Sequence, residues 1–428
     1  MKAEGKRKKG KHLADWLPFY YGWLMVPVAV IAQGITGVGQ TYGVSVFNPS
    51  LQQSLGISLS ALSGAYTIGT LAAALPQSYI GSLMDRFGIR KTTLGIVLLL
   101  GAACLLFARV NSLTTLLLGF FLLRLLGQGA LSLMAGNIPA LWFREKLGTV
   151  TGIVSSGFSL SMAVLPPFFL FLVNRLGWRS AYSSLGLLVW LVALPLIALL
   201  RDGPADVGQH LDGKTEKEEA EANFLEKDEN AWTAPQARKT AAYWIMVSNA
   251  ALWALVITAV FFNLLSIMES QGISPAVAAA TYTTYAAASL ITQLTMGPVA
   301  DRGSLRVLMV LCMTFLAAGI AVLTLASSPW IAHSYAVLIG ISTGLMSVLG
   351  GTLFARYYGR TNLGQLRGGM LTAQVAGSSL GPLITGVIFD LSGSFQISLW
   401  IYVGILIPAA LVSLKAIQPV KSSETQAA

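Results

Sequence analysis

Apolar runs recur from Tyr20 almost to the C-terminus, separated by short stretches that carry most of the charge. A helix needs about 20 mostly apolar residues to cross roughly 30 Å of hydrocarbon. On that measure the pattern predicts twelve spans, near 20–45, 60–83, 92–108, 113–136, 147–173, 179–200, 241–267, 275–299, 305–326, 331–355, 366–389 and 395–414. The expected fold class is all-α and integral to a membrane. The one long polar stretch, 201–240, contains Pro204, Pro235 and the acidic run from Glu216 to Glu229, and it divides the spans six and six. The expected organisation is a basic tail (1–19), a six-helix bundle (20–200), a linker (201–240), a second six-helix bundle (241–416) and a closing tail (417–428).

The two halves match at a constant offset of 216 residues. Gly81-Ser82-Leu83-Met84-Asp85-Arg86 recurs as Gly297-Pro298-Val299-Ala300-Asp301-Arg302, and Arg90 falls on Arg306. The same shift takes Arg144 to Arg360, Gly148 to Gly364, Gly152 to Gly368, Pro166 to Pro382 and Gly177 to Gly393. An even number of spans per half gives both copies the same orientation, so they form parallel repeats about an axis along the membrane normal.

Composition narrows the class further. With 54% apolar and 11% charged residues over 428 positions, the chain is too apolar for a set of soluble domains. The net charge of +10 does not indicate nucleic acid, because the cations follow the span topology and form no basic patch interleaved with aromatics. Outside the spans only Arg109, Arg175 and Arg179 fall on the face opposite the termini. Retention of positive charge in the cytoplasm therefore predicts cytoplasmic termini and linker, in the inner membrane of a bacterium. The Lys6-Arg7-Lys8-Lys9 tail reads as a topology signal with weak attraction to membrane lipid. No small-residue cleavage site follows the first span, so no removable signal peptide is expected. Cys104 and Cys312 lie inside spans, where neither a disulfide framework nor a metal set is plausible, and no cofactor is expected.

The loop after the second span, Gly81-x3-Asp85-Arg86-x-Gly88-x-Arg90-Lys91, resembles the signature loop of the major facilitator superfamily. Gly297-x3-Asp301-Arg302-Gly303-x2-Arg306 is a looser second copy. Glycine lets helices approach, and Asp beside Arg can pair with charges or helix ends of the neighbouring bundle. Asp85, Arg86, Arg90, Asp301, Arg302 and Arg306 are therefore expected to latch one state of an alternating-access cycle. Tyr20-Tyr21-Gly22-Trp23, Trp142-Phe143-Arg144-Glu145-Lys146-x5-Gly152-x4-Gly157 and Gly377-x3-Gly381-Pro382-x3-Gly386-x3-Asp390 resemble the monocarboxylate and oxalate/formate branch of that superfamily. The resemblance implies a carrier of small carboxylates working by proton symport or anion exchange.

Parallel halves enclose a cavity near the bilayer midplane, so polar side chains halfway along a span are the candidate ligands. Arg124 is the only charged residue well inside a span, with Gln128 one turn away. A cation at that depth costs about 3 kcal/mol on insertion scales and must find a partner. Bonding to neighbouring helices and contact with an anionic substrate are equally open readings. Its context, Arg124-x2-Gly127-x-Gly129-Ala130, resembles a fourth-span motif widespread in the superfamily. Tyr282, Tyr285, Ser289 and Gln293 form one polar stripe along the eighth span, although Tyr282 could also serve as an interfacial anchor. Gln33 and Gln40 in the first span make a similar face, and Tyr66 with Thr70 a weaker one. Asn249, Trp253, Tyr335, Ser342, Gln374 and Ser378 could complete the wall or simply bond across helices.

No carboxylate occupies a span midpoint, so a coupled proton would travel with the bound acid or through a peripheral group such as Glu269 or Asp390. His333 lies at an outer edge. The carboxylate branch commonly presents an arginine in the eighth span, yet 275–298 has no Lys, Arg or His. Either Arg124 and the tyrosine stripe hold an anion, or the substrate is not a simple monocarboxylate. The leading expectation is a secondary carrier of a small organic anion, with protons as candidate co-substrate and a monomer as the working unit. The alternative is an efflux carrier for neutral or amphipathic metabolites. A sensor that binds without translocating stays open. An enzyme is disfavoured, because no nucleophile–base pair or metal cluster occurs at depth.

Overall fold

The computed structural model describes residues 19–143, 146–213, 232–358 and 363–419, and among them there are helices and no strands. Nine helices are long and apolar enough to cross a membrane. One of them, within Leu147–Leu199, is 53 residues long and is broken at Gly177, whose φ of 73° and ψ of 159° turn the chain back. Two further rods do not qualify by themselves: the second span (Leu59–Ala74 continuing as Gln77–Phe87), whose first helix is 16 residues long, and the eighth (Pro275–Arg302), which is less apolar. Counting the broken helix as two and adding these two, the described residues form twelve rods. The second and eighth spans are repeat mates, and both line a seam between the halves, where polar atoms meet protein or water and not lipid.

The repeat is legible in the backbone itself. Gly56 (φ 62°) precedes the second span and Gly272 (φ 78°) the eighth, while Gly177 (φ 73°) and Gly393 (φ 70°) separate spans five from six and eleven from twelve. Left-handed backbone costs an L-residue about 1–2 kcal/mol, which accounts for glycine at each corner. Ser58 and Ser274 cap the same two helices, accepting from Ala61 N–H and Val277 N–H.

The first span is discontinuous. Helix Gly22–Ile35 tightens into a 3-10 turn at Thr36–Gly39, passes through extended Gln40 (φ −78°, ψ 155°) and resumes as Thr41–Ser45. Gly39 allows this, because a Cβ there would lie 2.2 Å from the Leu123 carbonyl oxygen and 3.1 Å from Gly127 Cα. The facing fourth span (Leu113–Leu123, then Ser132–Trp142) is itself π-helical over Arg124–Leu131.

The halves meet along three seams: second span on eleventh (Leu363–Ser392), fifth on eighth, and the resumed end of the first on the seventh (Ala241–Ser270). Hydrogen bonds across them include Asn48 Nδ2 to Phe262 O at 2.7 Å, Thr67 Oγ1 to Ser379 O at 2.6 Å and Thr283 Oγ1 to Ala163 O at 2.7 Å. Each lies toward the ends of these spans remote from the linker, here termed the far face. The segment 200–213 folds back on the first half, where Gln209 Oε1 accepts from Tyr21 N–H at 3.0 Å. Trp232 N–H donates to Tyr358 O at 3.0 Å, so the other end of the linker sits on the second half.

Candidate functional site

Sealing at the far face leaves a cavity between the halves that widens toward the linker face. Its main chamber is about 590 Å³ and continues into a second space of about 320 Å³ near the seal. Phe158, Met162, Trp253, Tyr285, Thr343, Leu371 and Gln374 line both. The lining runs from Gln40 and Phe261 near the sealed end to Pro139, Thr151, Gly350 and Met370 near the linker-face ends of their helices.

The first-half wall carries Gln33, Gln40, Thr41, Gln128 and Ser132, and the second-half wall carries Trp253, Tyr285, Ser289, Gln293, Thr343, Ser347, Gln374 and Ser378. Several are held by neighbours. Gln40 Nε2 donates to Thr36 Oγ1 at 3.4 Å and Ser132 Oγ at 3.3 Å, Gln293 Nε2 to Ser289 Oγ at 3.0 Å, and Trp253 Nε1 to Ser342 Oγ at 3.2 Å. Among the described residues no Lys, Arg, His, Asp or Glu lines this space. It offers amides, hydroxyls and aromatic faces, which can donate to or accept from a polar solute without any fixed ionic partner.

Nine of the residues singled out from the sequence come together on this wall: Gln33, Gln40, Gln128, Trp253, Tyr285, Ser289, Gln293, Gln374 and Ser378. The others lie elsewhere. Arg124 is 2% exposed, behind the wall. Its Nε donates to Thr70 Oγ1 at 3.2 Å, its NH1 to Gly39 O at 3.1 Å and Thr41 Oγ1 at 3.4 Å, and its guanidinium lies 5.0 Å from the Tyr66 ring centroid. Of these partners Thr41 reaches the cavity. Tyr66 is fully buried, its hydroxyl 2.7 Å from Thr41 Oγ1 and its ring 4.4 Å from that of Phe262. Tyr282 is buried in the far-face seal, where its hydroxyl donates to Phe261 O at 3.0 Å and lies 3.1 Å from Ser45 Oγ. Asn249 Nδ2 donates to Ser413 Oγ at 2.7 Å, tying the seventh span to the twelfth. Tyr335 is 1% exposed, and its hydroxyl has no partner among the described residues.

The expected latch residues divide. The side chains of Asp85, Asp301 and Arg302 lie outside the described residues. Arg90 ties to its own half, donating backbone N–H to Asp202 Oδ1 at 2.8 Å and Nε to Ile197 O at 3.3 Å. Arg86 is exposed, 5.2 Å from the Phe87 ring centroid, and Arg306 is exposed. The close approach expected at Gly81 and Gly297 is absent here, since an added Cβ at either meets nothing within 4 Å. Both sit toward the linker face, where the halves stand apart. The close approaches fall instead at Gly39, Gly377 and Gly381, each facing backbone oxygen at 2.2–2.3 Å from a built Cβ.

Sequence reading passed over the fifth-span hydroxyls Thr151, Ser155 and Ser159, which line the cavity. Their spacing of four was the available signal, a polar stripe on an otherwise apolar helix. Thr343 and Ser347 repeat that spacing in the tenth span (Pro329–Tyr358).

The fold and both halves have known counterparts. The structure superposes on a bacterial homolog of the human lysosomal transporter Spinster, in an inward-facing and occupied conformation, with a TM-score of 0.70 at 17% identity, covering 94% of this chain and 97% of that one. The sequence is 25% identical over 205 residues to the uncharacterized MFS-type transporter YhjX of Escherichia coli (strain K12), covering 48% of this chain and 50% of YhjX. It is 24% identical over 183 residues to the oxalate:formate antiporter of Oxalobacter formigenes, covering 42% of each. The chain thus spans about half the length, or less, of these two curated relatives. The sequence model described as Major Facilitator Superfamily matches residues 29–268 and again 250–428, which takes in both bundles. Twelve rods in two parallel repeats around a central cavity, together with that match, establish that the chain is an integral membrane protein and belongs to the Major Facilitator Superfamily.

Proposed function

We propose that the protein carries a small polar organic metabolite by alternating access, binding it through hydrogen bonds in the cavity between the halves, and that the solute is uncharged. The observation behind this is the lining: amides and hydroxyls from both halves, five aromatic rings near the seal, and no Asp, Glu, His, Lys or Arg among the described residues. An anion placed there would give up its hydration with no cation in contact, and burying an unpaired charge is costly. A neutral solute exchanges its water for the Gln33, Gln128, Gln293 and Gln374 amides at near-equal strength. The two bundles, 20–200 and 241–416, are the rocking units in this reading, with Gln33, Gln40, Gln128, Trp253, Tyr285, Ser289 and Gln374 as solute contacts. The basic linker face would be cytoplasmic, which makes the open state inward-facing.

A carboxylate carrier is the second reading, and Arg124 favours it. Its charge faces a carbonyl, two hydroxyls and a ring, with no carboxylate among the partners found. At an effective dielectric constant of about 20, an anion about 8 Å away would gain about 2 kcal/mol from that charge. The oxalate:formate antiporter among the relatives is consistent with this reading.

Counterflow in proteoliposomes, with a panel of labelled neutral polyols, nucleosides and amides beside mono- and dicarboxylates, tests the choice. Accumulation of a neutral solute that persists in Arg124→Gln supports the first reading. Accumulation confined to anions and lost in Arg124→Gln overturns it in favour of the second. Binding without flux for every solute would replace both with a sensor.

A further inference from the structure

The far-face seam between the second and eleventh spans is a zipper of small residues that ends in one carboxylate. Thr67 Oγ1 bonds Ser379 O, and a Cβ on Gly386 would come within 3.0 Å of the Leu59 carbonyl oxygen. One turn beyond Gly386, Asp390 Oδ2 accepts the Ser60 N–H at 2.9 Å. That amide belongs to the first turn of the second span, where N–H groups have no partner within the helix. Ser58 satisfies the Ala61 N–H with its own hydroxyl at 3.1 Å, which leaves the Ser60 amide to a group from outside. The group comes from the other half, so the bond has to break whenever this seam opens.

We infer that Asp390 is the releasable latch of the far-face gate: the carboxylate holds the first turn of the second span shut, and protonation from the far side frees it. A carboxylate at a helix N-terminus gains from both the amide bond and the helix dipole, and the neutral acid loses most of each. On the neighbouring elements the far-face ionisable groups are Glu269, near the end of the seventh span, and Arg179, whose NH1 donates to Ser54 Oγ at 3.1 Å, and neither belongs to the seam itself. Residues 48–65, which include the short helix Asn48–Leu55 and the facing turn, hold no Asp, Glu, His, Lys or Arg, and in 368–401 Asp390 is alone in that class. The repeat makes the device one-sided. At the equivalent seam, between the eighth and fifth spans, Asn174 stands in place of Asp390 and Ala276 in place of Ser60. Acid on the far side therefore loosens one seam and leaves the other. This inference concerns the gate and not the cargo, so it stands or falls separately from the solute reading.

The test is a distance measurement on the full chain in lipid nanodiscs, with nitroxide labels at Asn111→Cys and Ser327→Cys. These exposed far-face positions lie one on each half, and native Cys104 and Cys312 are buried. Lowering pH from about 7.5 to about 3, below the ordinary carboxylate value, should raise the long-distance population about threefold, the scale of a charge at a helix end. Asp390→Asn should show the raised population at both pH values. Ser60→Pro removes one donated N–H at a position where the first turn accepts proline and leaves Asp390 in place, so it should raise the population part of the way, because the Leu59 N–H and the Ser58 hydroxyl also hold the carboxylate. The pair combined should add nothing to Asp390→Asn alone. Ser60→Ala, which keeps the amide, should retain the acid response. A far-face distance unmoved by pH in the parent chain, or an acid response that survives Asp390→Asn, overturns the latch. Should Asp390→Asn fail to fold, Ser60→Pro decides.

Discussion

Arg124 NH1 donates to the carbonyl oxygen of Gly39 at 3.1 Å, at the residue where the first span stops being helical. The carbonyls that end a helical segment carry partial negative charge, so a broken helix supplies the counter-charge that no side chain does. The cation sits beside the cavity without entering it and pins the fourth span to the break in the first.

Arg124→Gln should lower thermal stability, because three hydrogen bonds and a ring contact go with the guanidinium. The neutral-solute reading expects affinity to stay within about threefold of the parent. Arg124→Lys should not restore stability, since an ammonium lacks the planar fork that reaches Thr70 and Gly39 together. A melting curve and a binding isotherm on each variant check both statements.

Gln374→Ala and Gln33→Ala should each weaken solute binding about 5- to 10-fold, the effect of losing one hydrogen bond of about 1–1.5 kcal/mol. Both side chains are partly exposed on the cavity wall, so melting temperature should barely move. Asn249→Ala should show the reverse, since its amide bonds Ser413 in the packed interior. Equal loss of affinity from Asn249→Ala would mean that the cavity wall has been drawn in the wrong place.

Tyr282→Phe should shift the resting population toward opening at the far face. The hydroxyl joins Ser45 of the first half to the Phe261 carbonyl of the second, and the partners left buried without it cost about 1–3 kcal/mol. Labelling of a far-face cysteine by a membrane-impermeant maleimide should accelerate about fivefold or more. Tyr335→Phe is the control, because its hydroxyl bonds nothing among the described residues.

Gly39→Ala should be among the most damaging single methyl additions in the chain, since its Cβ would meet the Leu123 carbonyl oxygen at 2.2 Å. Overpacking typically costs about 1–3 kcal/mol, and rigid backbone on both sides leaves little room to relax. Gly81→Ala, in the sequence signature, meets nothing within 4 Å and should leave this state's stability unchanged. Transport by Gly81→Ala should still slow if that loop closes against the other half later in the cycle. Thermal melts and flux on the two variants separate the effects.

Span periodicity, the offset of 216 residues and the wall residues Gln33, Gln128, Tyr285, Ser289 and Gln374 could all be read from the chain. A polar side chain in the middle of an apolar helix must face protein or water, so pattern locates it on an inner surface. Pattern does not say which inner surface. Tyr282 and Tyr285 share a stripe, yet one plugs the seal, where it meets Ser45 and Phe261, and the other reaches the cavity. Arg124 and Gln128 lie one turn apart on the fourth span, and the π-helical stretch with the Gly39 contact puts only Gln128 on the wall.

The sequence by itself determined a membrane protein of two parallel six-helix halves, because hydropathy and the positions of glycine and proline follow from local chemistry and are written residue by residue. Only the tertiary structure decided that the one deep cation is sheathed by its own half, that no charged side chain among the described residues lines the cavity, and that Asp390 grips the opposite bundle. Those facts depend on how helices distant in sequence cross and where the first span breaks, and a few ångströms of approach, set by packing, separate a side chain that meets solute from one that meets only its neighbours.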